Sequence, residues 1–308
     1  MAARHLKHLP PSLLAVLAAM LSSILGGSSI VATRYVVPEA GVMATILLRF
    51  AGASLLMLAF TLPRRRVRIE ARDIPVVVGL GLIQFALFPW LFTQSLGLIP
   101  AARAALVLST QPLITLALSA LVGRERFTAL KATGGILALA AIGFALGDRI
   151  RSENVGAWHG DLYMFGAAVA GSFYNVASGY TLRRYSAQVA ASVMIPIGTV
   201  AIGIMLLLQG DWSGFGEITL PGWAAVAYLT SFGGVISFFL WIWALERTTP
   251  SKVSLAVTLN PVSAALFGAL VLAEPVSWRM TVGLVGVITA LALVNWSGIV
   301  AGARAYQR

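Results

Sequence analysis

The residues of this chain that could carry chemistry are mostly amides, hydroxyls and aromatics. Gln111 stands directly before Pro112, and Asn260 directly before Pro261, each pair in the middle of a long apolar stretch. A proline inside a helix has no N–H to donate and crowds the carbonyl four residues back. The carbonyls of Leu108 and Val257 therefore lose their normal partners, and each helix is expected to kink. Such acceptors survive deep in an apolar medium only where protein or a wet cavity satisfies them, and the adjoining amide offers both a donor and an acceptor. This is the chemistry of solute binding at Gln111 and Asn260. Bonding of each amide to a neighbouring helix is the packing alternative.

Residues four apart share a helix face, which extends the pattern. Gln111, Thr115 and Ser119 form one polar row; Gln84, Phe88 and Phe92 form another, and Gly233, Ser237 and Trp241 a third. A lone amide facing lipid is costly and an aromatic beside it suits an amphipathic solute, so Gln84, Phe88, Ser237 and Trp241 join the expected binding wall. Trp90, Tyr174 and Asn175 are added as further contacts. The small residues Ser22, Ser23, Gly26 and Ser29, and their counterparts Ser172, Asn175 and Ser178, read chiefly as helix-packing positions.

Catalytic constellations are missing from the sequence. There is no cysteine, the histidines are His5, His8 and His159, and no HExxH, GxSxG or Walker pattern occurs. No metal site and no cofactor is expected. Arg49 is the one ionisable residue clearly inside an apolar stretch, roughly 9 Å from its start at 1.5 Å per residue. Two roles stay open for it: an anchor bonding backbone carbonyls, or a contact for a substrate anion. Glu125 and Glu274 precede the candidate helix caps Thr128 and Ser277, and Asp161 also stands at a helix start, where an acid complements the helix dipole. Ion coupling through these boundary acids is the other reading.

The elements that must position these residues follow from composition. With 308 residues, 58% hydrophobic and 11% charged, and a mean hydropathy of +0.87, the chain is a membrane protein. A helix crossing about 30 Å of hydrocarbon needs roughly 20 apolar residues. Ten stretches qualify: 12–33, 43–62, 75–97, 101–123, 128–147, 160–182, 187–208, 221–245, 251–273 and 279–299. The first follows Arg4 and Lys7 and looks like a signal peptide, but it is expected to stay as a span. Placing the N-terminus inside puts most loop lysines and arginines, including the Arg64 to Arg72 run, in the cytoplasm, so both termini are expected there. The net charge of +11 is then a topology signal, with no nucleic-acid partner expected.

Sliding the sequence so that Pro112 meets Pro261 also brings Glu125 onto Glu274, Gly134 onto Gly283 and Gln111 onto Asn260. Residues 1–149 and 150–308 thus read as two copies of five spans. Because five is odd, the second copy enters the membrane upside down. Inverted repeats are a transporter signature, since two related halves can rock about a shared midplane site.

The pair Arg49-Phe50, the run from Ala101 to Glu125 with its central Gln-Pro, and the stretch from Asn260-Pro261 to Glu274-Pro275 resemble the EamA-type branch of the drug/metabolite transporter superfamily. The resemblance implies an all-α integral membrane fold of ten transmembrane helices in two inverted five-helix repeats. It further implies a bacterial inner-membrane setting and export of small metabolites such as amino acids. One departure is Gly123-Arg124-Glu125, where the family's first repeat commonly has glycine directly before the glutamate. The expected function is a secondary transporter of amino acids or related amphipathic solutes working by alternating access, with the lipid bilayer and a small-molecule substrate as partners. A channel for small polar solutes is the alternative, and an intramembrane enzyme a weaker one. The small and polar faces specify no oligomeric state.

Overall fold

The computed structural model describes residues 11–61, 68–99, 104, 107–124, 129–146, 158–210, 212–216 and 218–272, with short helical pieces between 278 and 293. Glu125, Thr128, Glu274 and Ser277 lie outside the described residues. Among those described, every regular element is helical. A helical stretch over Pro11–Thr61 is broken at Gly41 (φ 75°, ψ 170°) into α1 (11–40) and α2 (42–61). Then follow α3 (Ala71–Leu98), α4 (Gln111–Leu121) and α5 (Ala129–Leu146). Next are α6 (Trp158–Ala177), prolonged by Gly179–Arg184, and α7 (Ala187–Gln209). The series ends with α8 (Leu220–Arg247) and α9 (250–272).

Among the described residues four stretches, Ser12–Thr61, Ala71–Leu98, Ala187–Gln209 and Leu220–Arg247, are long and apolar enough to cross a bilayer. Leucines such as Leu55, Leu207, Leu208 and Leu270 point outward, while Ser, Thr and Gln side chains lie buried inside. That distribution suits lipid as the surrounding medium: outward leucines cost nothing there, and inward polar groups find partners. The sequence placed a loop between 33 and 43. Instead the helix runs on through Pro38 to Ala40, and the chain reverses at one glycine in the left-handed region.

The helices are interrupted at matching places. Ahead of Pro112, helical Val107 and Leu108 give way to a turn at Ser109 and Thr110. Ahead of Pro261, the helix tightens to a 3-10 turn over Ala256–Thr258. A π-helical turn widens α3 at Ile83–Leu87 and α8 at Leu229–Ile236. In α3 Pro89 lacks the N–H that would bond the Phe85 carbonyl, and in α8 the pair Gly233-Gly234 has no side chain to resist unwinding. The shift that superposes Pro112 on Pro261 carries the first π-turn onto the second.

Contacts between helix ends sort them into two faces, with consecutive helices running in opposite directions. At one face Asp73, opening α3, accepts a hydrogen bond from Tyr185 (2.6 Å) and pairs with Arg184 (2.9 Å). Arg184 also pairs with Glu70. That hydrogen bond, with smaller help from Tyr180, Tyr185 and Asp73, raises the Arg184 guanidinium above its ordinary pKa. At this face too, the Ala187 amide opening α7 donates to Glu246 at the end of α8 (3.0 Å). At the other face Glu39, near the end of α1, accepts from the Thr219 amide (3.0 Å) and hydroxyl (3.0 Å), and Thr219 caps α8. There Gly160 of α6 also meets Ile99 at the end of α3.

Gly123 (φ 67°) ends α4, with its amide bonded to Ala120 and that of Arg124 to Ser119. This is the paired pattern of a helix closed by a left-handed glycine. The arginine inserted after it donates to the Val176 carbonyl, tying the end of α4 to the end of α6.

Gly198 of α7 lies so close to α3 that an added Cβ would stand 2.4 to 2.6 Å from Phe85 Cβ, C and O. Gly198→Ala is expected to destabilise the protein by about 1–3 kcal/mol through overpacking against backbone. Gly79→Ala, with open space around the new methyl, should leave the thermal midpoint unchanged or higher.

Candidate functional site

A cavity of about 100 Å³ opens between α1, α2, α3, α4, α8 and α9. At about 10–15 Å³ per water by this measure, it holds several waters or a small solute. It lies nearer the Glu39 face: Thr33, Thr45 and Thr93, each within about 10 Å of a helix end at that face, form its outer wall. Arg49, Gln84, Gln111, Ser237 and Asn260 line it further in, with Phe50, Phe88, Phe92, Phe238 and Trp241 as its apolar surface.

Each polar group arrives by its own route. The π-turn of α3 carries Gln84 inward. Gln111 opens α4 just after the break before Pro112, and Asn260 follows the 3-10 turn before Pro261. Small residues bring the surrounding helices close enough to shape the walls. At Gly26 an added Cβ would meet Asn260 Oδ1 at 3.2 Å, and at Gly171 it would meet Gln111 Nε2 at 2.7 Å. Ser22 and Ser237 exchange hydrogen bonds, each hydroxyl donating to the other's carbonyl (2.7 and 3.0 Å).

Several polar atoms in this wall lack partners. Ser23 Oγ, Thr33 Oγ1, Arg49 Nε, Gln84 Oε1 and Asn260 Oδ1 are buried and form no hydrogen bond. Arg49 donates through Nη2 to the Gly233 carbonyl in the π-turn of α8 (2.7 Å). Its guanidinium lies 5.3 Å from the Phe50 ring and 5.7 Å from the Phe238 ring. Among the described residues no carboxylate pairs with it. An arginine at the centre of a bilayer costs about 2.5–3.5 kcal/mol on insertion scales. A charged hydrogen bond contributes about 1.5–3 kcal/mol and each cation–π contact about 0.5–2 kcal/mol. The contacts present therefore offset the cost, and the cation stays in the cavity wall without a counter-ion.

The cavity wall brings together seven of the residues singled out from sequence: Arg49, Gln84, Phe88, Gln111, Ser237, Trp241 and Asn260. Pro112 and Pro261 stand just behind it, in the first turns after the breaks. Three others lie off the wall. Tyr174 is fully buried in the core, its hydroxyl on Met194 Sδ (3.8 Å) and its ring against Phe85. Trp90 points from α3 toward Tyr163 of α6, ring against ring at 5.8 Å. Asn175 is buried behind Trp241, whose indole N–H it accepts (3.0 Å). The helical phase of these residues turns them to a neighbouring helix, which hydropathy alone does not reveal. Conversely Ser22, Ser23, Gly26 and Ser29, read as packing positions, line the cavity as well as packing. Thr33, Thr45, Thr93 and Phe238 were not singled out, although the threonines share helix faces with residues that were.

The sequence profile of the EamA-like transporter family matches residues 13–147 and again residues 158–296. The chain belongs to the EamA-like transporter family. Relatives agree with a multi-pass transporter. An uncharacterized transporter of Archaeoglobus fulgidus is 26% identical over 257 residues, covering 83% of this chain and 90% of that protein. A protein of Streptantibioticus cattleyicolor named a probable terminal-alkyne amino-acid exporter is 26% identical, covering 91% and 93%. The uncharacterized inner membrane transporter YedA of Escherichia coli is 27% identical, covering 80% and 79%. A crystal structure with 20% sequence identity shares the fold at a TM-score of 0.76, over 92% of this chain and 96% of that one.

This EamA-like transporter therefore carries a polar, incompletely bonded cavity inside a membrane-embedded helical fold. Trp241→Phe removes the donor to Asn175 Oδ1, while Asn175 Nδ2 already lacks a partner. The variant is expected to lose about 1–2 kcal/mol, seen as a lower thermal midpoint in detergent.

Proposed function

We propose that this protein is a secondary transporter exporting small amphipathic metabolites, foremost amino acids, by alternating access. Its two inverted five-helix repeats, 1–149 and 150–308, sit in a bacterial inner membrane with both termini cytoplasmic. The observation that carries this reading is the central cavity, to which helices of both halves bring buried polar atoms without partners. Water or a solute satisfies such atoms, and a carrier needs a site of this kind enclosed between its helices. The two successive family matches support the duplication, and the relative named an amino-acid exporter supports the substrate class.

The helix-end clasps suggest how access alternates. Asp73, Arg184 and Tyr185 join α3 to the end of α6 at one face. Glu39 and Thr219 join α1 to α8 at the other. The repeat shift turns α1 into α6 and α3 into α8, so the two clasps are built by corresponding helix pairs. Opening one while the other holds exposes the cavity to one side at a time. The Glu39–Thr219 clasp is exposed, worth little and readily exchanged for water, whereas the other is built on a buried Asp73.

Counterflow tests the transport reading. In proteoliposomes, preloaded unlabelled amino acid should accelerate uptake of labelled amino acid; flux without counterflow, far above carrier turnover, would mark a channel and reject the carrier. Topology can be read on the native background, because the chain has no cysteine. Arg72, opening α3, and Thr219, opening α8, are both exposed and stand at nearly corresponding repeat positions. Impermeant maleimide on intact cells is expected to label Thr219→Cys and spare Arg72→Cys; labelling of both from one side rejects the inversion.

A further inference from the structure

We propose that Arg49 receives the carboxylate of the substrate and that the amide oxygens of Gln84 and Asn260 receive its ammonium group, so the cavity selects zwitterions and holds them in one orientation. The assignment rests on the carrier reading above and adds how the solute is held.

The unpartnered atoms are of complementary kinds. Arg49 Nε is a cationic donor, and Gln84 Oε1 and Asn260 Oδ1 are neutral acceptors; all three are buried, unbonded and in one cavity wall. A carboxylate answers the first, since a guanidinium presents its N–H groups in the fork that a carboxylate matches. An ammonium group, with three donors and no acceptor, answers the other two. A plain amine would leave Arg49 unmatched, and a plain carboxylic acid would leave the two oxygens so.

Spacing agrees with one small head group. Arg49 Nη2 and Ser29 Oγ both crowd Gly233, and the Asn260 amide lies against Gly26. Gly26 and Ser29 are three residues apart on α1, about 4.5 Å along its axis. The wall also presents aromatic rings, Phe88 and Phe92 stacked at 5.9 Å, with Phe50, Phe238 and Trp241 lining the same cavity. A largely apolar side chain fits there.

Among the described residues of the cavity wall, the one cation, Arg49, comes from the first half. The position matching Arg49 in the second half is Gly198, which is pressed against the Phe85 backbone with no room for a side chain. A cavity built by two similar halves thereby has one positive end, and a zwitterion bound in it points one way. The bond from Arg49 to the Gly233 carbonyl needs only a neutral donor, so that contact alone does not require a charge at this place.

The test uses the purified full chain in proteoliposomes, with counterflow of labelled L-phenylalanine and L-leucine in turn. For whichever amino acid flows, its methyl ester, its decarboxylated amine and its deaminated acid serve as competitors. Each is expected to compete at least about tenfold more weakly than the parent, the size of one lost charge-assisted contact. Arg49→Gln should raise the apparent KM about tenfold or more with a smaller change in maximal rate, and should abolish discrimination against the ester. Arg49→Lys should restore part of both. Asn260→Leu should reduce discrimination against the deaminated acid, because Gln84 Oε1 remains as one of the two acceptors. Competition by ester or amine equal to the parent, in the unmodified protein, overturns the assignment while leaving the carrier reading intact, and needs no variant to fold. Flow of neither amino acid, with counterflow of another solute, overturns the assignment and the amino-acid class together.

Discussion

Hydrocarbon offers no water to complete an unmet hydrogen bond, and the rest of this structure follows from that constraint. Each polar group in the spans must find protein, reach a boundary or face a wet space. Most serines and threonines meet the requirement locally, as Ser29, Ser54, Ser172 and Ser263 do by donating to the carbonyl four residues back. Five of the exceptions line one cavity, while others, among them Ser95, Thr115 and Ser119, lie off its wall. What separates the five from the rest is that they border a space large enough for water or a solute.

Close approach of helices is the second condition, and small residues supply it where it matters. Gly27 of α1 sits against the Asn260 carbonyl and Ser263 of α9, and Gly171 of α6 against Gln111 of α4 and Phe88 of α3. The first contact joins the opening helix of one half to the fourth helix of the other, and the second does the same with the halves exchanged. Phe50 and Phe238 of the cavity wall, with Phe85 and Tyr174 behind it, join α2, α3, α6 and α8, with neighbouring ring centroids 5.1 to 6.4 Å apart. A rigid aromatic knot below and polar clasps at either face give the molecule a firm middle and weaker ends.

The two stretches that match the family profile are most informative where they differ. The matching interruptions before Pro112 and Pro261, and the matching π-turns in α3 and α8, give the cavity a nearly symmetric frame. Unlike residues break that symmetry, Gln84 against Gly233 and Phe88 against Ser237 among them, but the pair Arg49 and Gly198 breaks it in charge. Gly198 cannot be enlarged without displacing the Phe85 backbone, so the close packing of α7 on α3 confines the charge to the other half.

Composition alone determined that this chain lives in a membrane, because an apolar content of 58% has no other stable solvent. Prolines in mid-span with amides beside them marked where helices would break, because a missing N–H acts through the chain's own covalent geometry. The residues that resemble a known transporter family announced membership, which the family match establishes. Rotation of each helix about its axis was beyond that reach. Tyr174, Trp90 and Asn175 carry the right chemistry and sit at the right depth, yet they turn to a neighbouring helix, whereas Thr33, Thr45, Thr93 and Phe238 turn to the cavity. In water a helix advertises its buried face by the contrast between apolar and polar sides. In lipid both sides are apolar, so facing was left to contacts between residues far apart in sequence, and only the tertiary structure decided it.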